Sequence, residues 1–254
     1  MVPTQLSRIL QNEDALPALS KQLKAMLLGG APATSQLIER ALAAGLPVNT
    51  TYGSTEMASQ VATGTPLYPT SPKTIPGRHL WINDNGEILV KGPTLFRGYL
   101  TDDGINPSVD KDGWFHTGDI GRIEPDRTLT VIGRKDNMFI SGGENIHPEH
   151  IEAALESIDG ITRAIVVPIN DPEFGQRPIA FIQYDYDWML DDAEEYPVGE
   201  TRIREELEAV LPRFILPVKY YPWPESYRPA ELKADRAFFR ELVKKLRGPR
   251  ADGA

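Results

Sequence analysis

Between Lys24 and Gly53 the chain reads strand, helix, strand, and this order restricts the fold more than any other feature of its 254 residues. "KAMLLGG" is a short apolar run ended by two glycines. "TSQLIERALAAG" sets Leu37, Ala41, Leu42 and Ala44 on or near one helical face, with Gly45 as a stop signal. "LPVNTTYG" is a second short strand that also ends in glycine. Two strands joined through a helix pair in parallel, and ligands of such sheets collect at the carboxyl ends of the strands. Gly29-Gly30 and Tyr52-Gly53 fall at those ends. Residues 1–60 are therefore expected to hold a β-α-β unit.

The pattern then changes. "LWINDNGEILVKG" is two β-rich runs joined through Asp84-Asn85-Gly86, a hairpin signal because Asn-Gly takes positive φ readily. Further short strands broken by Pro and Gly make residues 61–133 a small antiparallel β subdomain, with "ATGTPLYPTSPK" expected as a surface loop. From about residue 134 the pattern is mixed again. Pro148 suits the first turn of a helix carrying Ile151, Ala154, Leu155 and Ile158 on one face. "TRAIVVPI" and "PIAFIQY" read as strands, and "ETRIREELEAVL" and "KADRAFFRELVKKL" as helices. The acidic "DYDWMLDDAEEYPVGE" between them reads as an exposed loop. The fold class is mixed α/β: a partial parallel sheet, a β subdomain, and a small α+β domain from 134 to 254.

Composition narrows the function classes. A formal charge of −9 argues against broad nucleic-acid binding, which needs a basic face. No apolar run is long enough for a membrane-spanning helix, so no membrane insertion is expected. The absence of cysteine excludes disulfides, thiolate metal sites and a Cys nucleophile, and fits a cytoplasmic location.

Three stretches could carry chemistry. In "TYGSTEMAS", hydroxyls and backbone N–H groups at a helix start can hold a phosphate, and a neighbouring carboxylate can hold Mg²⁺. The same residues also describe an ordinary helix cap, with Ser54 or Thr55 capping and Glu56 near the positive end of the helix. In "HTGD" and "GRKD", an Asp after a tight Gly turn can accept both hydroxyls of a ribose, and a nearby Arg can donate to ribose or phosphate. Each motif taken alone is better described as a turn with surface ion pairs, and only their order and spacing carry weight. The two histidines of "HPEHIE" are better explained by the apolar face of their helix than by a metal.

"LLGGAP", "TYGSTE", "GWFHTGD", "GRKDNMFISGGENIHPEHIE" and a late lysine occur in the order found in the adenylate-forming, acyl-activating enzymes, which the whole chain resembles. That family includes acyl-CoA ligases, luciferases and peptide-synthetase adenylation domains. "VPTQLSRIL", "NDPEFGQRPIAFIQYD" and "LPRFILPVKYYPWPE" resemble the branch that joins o-succinylbenzoate to CoA in menaquinone synthesis. Other readings are an aryl- or fatty-acyl-CoA ligase, or a non-catalytic module that binds adenylate or CoA or serves as an interaction domain.

The resemblance implies two half-reactions. A carboxylic acid and ATP first give acyl-adenylate and pyrophosphate with Mg²⁺, and the thiol of CoA then displaces AMP. By the same resemblance Gly29, Gly30, Ala31 and Pro32 line the acyl and adenine pocket. Tyr52 stacks near the adenine beside Gly53, Thr55 contacts the α-phosphate, and Glu56 binds Mg²⁺. Asp119 holds the ribose with Arg134 assisting. Asp136 is the hinge between the end of the large adenylation domain (1–133) and a small mobile domain (134–254). Ser141, Gly142, Gly143 and Glu144 line the CoA path. Lys233 bridges the substrate carboxylate and α-phosphate, although Leu232 stands where the family often has Gly.

Family members also carry an earlier Ser/Thr/Gly-rich phosphate loop, and none precedes "LLGGAP" here. The chain is therefore expected to be the C-terminal part of a longer protein, or one whose first segment is supplied by another chain. By itself it is expected to have little ligase activity.

Overall fold

Local sequence sets the first elements. Pro3 opens helix α1 (Pro3–Leu10), where its missing N–H costs nothing. The Val2 N–H donates to the Gln5 side-chain oxygen at 3.0 Å. α2 (Leu16–Gln22) follows, then strand β1 (Met26–Leu28). Helix α3 (Ser35–Ala43) is capped by Thr34, whose hydroxyl accepts the Leu37 N–H at 3.2 Å. Strand β2 (Val48–Ser54) lies parallel to β1, as strand-helix-strand order requires.

The computed structural model describes residues 1–12, 14–65, 68–184, 199–227 and 235–246. It divides into two units, Met1–Asp136 and Asn137–Ala254.

In the first unit β3 (Ser59–Thr65) and β4 (Tyr68–Thr74) add antiparallel to β2, giving the order β1-β2-β3-β4. The stretch expected as a surface loop is thus mostly strand. β4 accommodates Pro69 and Pro72 because it is an edge strand, where a missing N–H costs no ladder bond. A second antiparallel sheet runs β10-β9-β6-β5. Its strands are β5 (His79–Ile82), β6 (Glu87–Lys91), β9 (Phe115–Ile123) and β10 (Leu129–Arg134). Asp84-Asn85-Gly86 turns β5 into β6 with Gly86 at φ 78°. A short hairpin, β7 (Tyr99–Thr101) with β8 (Gly104–Asn106), branches off between β6 and β9.

Two apolar clusters fill this unit. One gathers Leu6, Met26, Leu28, Ile38, Ala41 and Val48, and the other Met57, Val61, Ile88, Val90, Phe115 and Leu129. The face of α3 is rotated from the expected one, with Ile38 and Ala41 buried and Leu42 exposed. Leu42 lies about 100° round the helix from Ala41, which carries it past the edge of the buried stripe.

In the second unit, β11 (Phe139–Ser141) and β12 (Glu144–Ile146) form a hairpin ahead of α4 (Pro148–Glu156). β13 (Ile161–Asp171) and β14 (Gly175–Tyr184) pair along their length, and β15 (Tyr220–Pro222) adds parallel to β14. Val166, Ala180 and Ile182 face α4 and α5 (Glu200–Val210), while Ile165, Val167, Ile179 and Phe181 face α6 (Arg236–Leu246). Cover on both faces explains why these strands are continuously apolar. Of residues 185–200, expected as an acidic loop, 185–198 lie outside the described residues, Gly199 precedes α5 and Glu200 opens it. Among the described residues no helix is long and apolar enough to cross a membrane.

Candidate functional site

The first unit brings three of the expected residues together. Tyr52, near the end of β2, donates its O–H to Asp119 Oδ2 at 2.7 Å. Arg134, ending β10, donates from Nη1 to Asp119 Oδ1 at 3.0 Å and to the Thr117 carbonyl at 2.7 Å. Its Nη2 lies 3.6 Å from Asp136 Oδ2. Burial, then the negative charge of Asp119, pushes the Tyr52 pKa well above the usual phenol range, so Tyr52 remains a neutral donor. Each Asp119 oxygen keeps a further lone pair, so a carboxylate fixed from two sides can still accept hydroxyl donors.

The backbone explains why Asp119 projects here. Leu89 is paired with His116 and Glu87 with Ile120, so β9 has more residues between those pairs than β6. Thr117-Gly118-Asp119 stands opposite Ile88 alone, two residues more than β6 supplies, and bulges from the β6 ladder with Gly118 at φ 71°. On the other side β10 is shifted between Val131 and Gly133, which sets Arg134 opposite Asp119. A Cβ on Gly118 would lie 3.0 Å from Arg134 Nη2, so the glycine leaves room for the guanidinium as well as the turn.

Thr55 and Glu56 occupy a single 3₁₀ turn, Thr55–Met57, where a helix start was expected. Ser54 precedes the turn without a side-chain cap bond, so the capping interpretation of this motif fails for Ser54. Thr55 is exposed. Glu56 Oε1 accepts the Tyr99 O–H at 2.7 Å, and its own carbonyl accepts the Phe96 N–H at 2.7 Å. Burial raises the Glu56 pKa, but the Tyr99 bond and further hydrogen bonds outweigh it and leave the carboxyl below its usual range. A partly exposed, ionised carboxylate on its own suits Mg²⁺ that takes most of its ligands from phosphate and water. No group of three or more metal-ligating side chains occurs among the described residues.

Gly29, Gly30, Ala31 and Pro32 follow β1, and the Gly29 N–H donates to the Met1 carbonyl at 3.0 Å. Gly30, Ala31 and Pro32 are exposed. Gly53 lies inside β2, and its lack of a side chain serves strand packing: a Cβ there would come within 1.9 Å of the Ser59 carbonyl oxygen.

In the second unit Ser141 and Glu144 face one another across the β11–β12 turn. Gly142 and Gly143 have φ of 58° and 90°, and the Gly142 N–H donates to the Phe174 carbonyl at 2.9 Å. Lys233 lies outside the described residues. Three residues later Arg236 is held by Glu152, with bonds of 2.5 and 3.0 Å, and by the Val166 carbonyl at 2.6 Å.

Sequence reasoning missed Glu87, which stands at the base of the Thr117–Asp119 bulge, and Tyr99. No local signal marks Glu87, because its side-chain partners lie 29 or more residues away in sequence.

Residues 1–100 match the AMP-binding enzyme family. The chain is 36% identical over 234 residues to a 2-succinylbenzoate–CoA ligase from Geobacillus sp. (strain WCH70), covering 87% of this chain and 46% of that protein. It is 34% identical over 252 residues to the enzyme of the same name from Salmonella typhimurium, covering 96% and 50%. Its structure resembles that of o-succinylbenzoate CoA synthetase from Bacillus subtilis in complex with the acyl-adenylate intermediate OSB-AMP. The TM-score is 0.81 at 28% identity, over 94% of this chain and 50% of that one. The chain thus spans about half the length of the curated relatives it matches.

Proposed function

We propose, for a chain homologous to AMP-binding enzymes and to 2-succinylbenzoate–CoA ligases along about half their length, that it serves acid–CoA ligation with o-succinylbenzoate as the acid. A carboxylate oxygen of the acid attacks the α-phosphorus of ATP and pyrophosphate leaves. The thiol sulfur of CoA then attacks the acyl carbon of the adenylate and AMP leaves.

The observation that carries this reading is the Tyr52–Asp119–Arg134 cluster. Asp119 accepts the ribose hydroxyls, Arg134 neutralises it and faces the nucleotide oxygens, and Tyr52 fixes the second carboxylate oxygen while offering its ring to the adenine. Glu56 is the proposed Mg²⁺ ligand, and Thr55 the proposed α-phosphate contact. Bound Mg²⁺ supplies charge neutralisation at the phosphates. Gly29, Gly30, Ala31 and Pro32 remain the proposed acyl and adenine lining. In the second unit, the Ser141–Glu144 turn is proposed for the CoA path and Lys233 for the adenylation step. Asp136, at which the first unit ends, is the proposed pivot.

Titrating the chain with non-hydrolysable o-succinylbenzoyl, benzoyl and long-chain acyl adenylate analogues, and with AMP, tests this reading. The expected order has the o-succinylbenzoyl analogue bound more tightly than the rest. Equal affinity for all acyl groups would remove the acid assignment. No binding of any adenylate would remove the reading entirely.

A further inference from the structure

Glu87 is the most buried acid of the first unit among the described residues, with a side chain only 6% exposed. It lies directly after the β5–β6 turn, where the Asn83 side-chain oxygen accepts its N–H at 2.9 Å. The carboxylate looks into the bulge of β9. Oε1 accepts the Gly118 N–H at 3.2 Å, and Oε2 lies 3.2 Å from His116 Nδ1 and 3.5 Å from Lys135 Nζ. His116 Nε2 in turn lies 3.5 Å from Asp110 Oδ2. Two further bonds close the frame: the Thr117 hydroxyl donates to the Ile88 carbonyl at 2.7 Å and the Gly121 N–H to the Gly86 carbonyl at 2.9 Å.

A bulge removes ladder bonds from the residues it carries, and a buried N–H left without an acceptor costs about 1–3 kcal/mol. Gly118 is a half-buried residue of this kind, and Glu87 supplies its acceptor. Glu87 also ties His116, just before the bulge, and Lys135, just beyond Arg134 at the end of β10, to one carboxylate. Asp119 is therefore aimed through the backbone that Glu87 holds, and the Asp119 side chain itself makes none of these bonds.

We infer that Glu87 is a positioning residue for nucleotide recognition: it holds the Thr117-Gly118-Asp119 bulge so that the Asp119 carboxylate presents to a ribose diol. This rests on the assignment of Asp119 to the ribose, and it extends the site to a residue that touches no ligand.

The test compares AMP with 2′,3′-dideoxy-AMP, which lacks the diol, by calorimetry on the chain and its variants. The unaltered chain is expected to prefer AMP by about tenfold or more, the contribution of a charge-assisted hydrogen bond. Glu87→Leu is expected to reduce that preference to about threefold or less, with AMP losing more affinity than dideoxy-AMP, because the bulge carries the diol acceptor Asp119. Glu87→Gln, whose amide oxygen can still accept from Gly118, is expected to restore part of the preference, and it carries the test alone if Glu87→Leu does not fold. A preference unchanged in both variants would overturn the role of Glu87. A chain that binds both nucleotides equally, or neither, would overturn the ribose assignment and this inference with it.

Discussion

Asp119 and Arg134 are register partners across β9 and β10, and Nη1 of the arginine stands 3.0 Å from Oδ1 of the aspartate. The Arg134 side chain is 46% exposed, so solvent screens the pair and its contribution to stability is about 1 kcal/mol or less. Its value lies in orientation. Arg134→Leu is expected to leave the unfolding midpoint nearly unchanged and to weaken AMP binding by about three- to tenfold. A large loss of stability with unchanged affinity would make the pair structural.

Gly53 and Gly143 make a contrasting pair. A Cβ at Gly53 would meet the Ser59 carbonyl oxygen at 1.9 Å, and one at Gly143 would meet nothing within 4 Å. Gly53→Ala is therefore expected to separate β2 from β3 and cost more than about 2 kcal/mol. Gly143→Ala carries only the strain of a φ of 90° and is expected to cost about 1 kcal/mol. Denaturant unfolding of both variants checks the order, and equal costs would contradict the packing reason given for Gly53.

Glu156 accepts the Ala164 N–H at 3.0 Å, and burial pushes its carboxyl from the usual 4.5 up to about 7. Between those values the folded chain keeps a proton that the unfolded chain has lost. Stability from this group is therefore present below about pH 4.5 and is lost as pH rises through about 7. In Glu156→Gln the amide keeps the acceptor and removes the titration. The variant is expected to gain stability over the parent as pH rises from 5 to 8, by at most about 3 kcal/mol. Parallel stability curves for the two proteins would contradict the burial argument.

Arg236 and Glu152 form a largely buried, two-pronged ion pair, with Glu149 Oε1 3.7 Å from Arg236 Nη2. Removing one partner strands the other. Arg236→Ala is expected to cost about 3–5 kcal/mol, and a second change, Glu152→Leu, to recover part of that loss. If the double variant were less stable than Arg236→Ala alone, the stranded charge would not be the cause.

Which features were legible depended on how local their physics is. The β5–β6 hairpin followed from Asp84-Asn85-Gly86, and the doubly covered β13 and β14 from their unbroken apolar runs, because turn chemistry and burial act over a few residues. Tyr52, Asp119 and Arg134 were legible through motif order, although the reason they meet, two register shifts in β9 and β10, is a tertiary property. β4 was hidden by Pro69 and Pro72, which an edge strand tolerates. Glu87 was hidden because an acid after a turn looks solvent-facing until His116, Gly118 and Lys135 arrive from distant parts of the chain.

The central claim is that the Asp119 carboxylate, held by Tyr52 and Arg134, receives the nucleotide. Calorimetric titration of AMP into the chain and into Asp119→Ala tests it most directly. The account predicts that the substitution weakens AMP by at least about tenfold while the protein remains folded. AMP bound equally well by both proteins would contradict it.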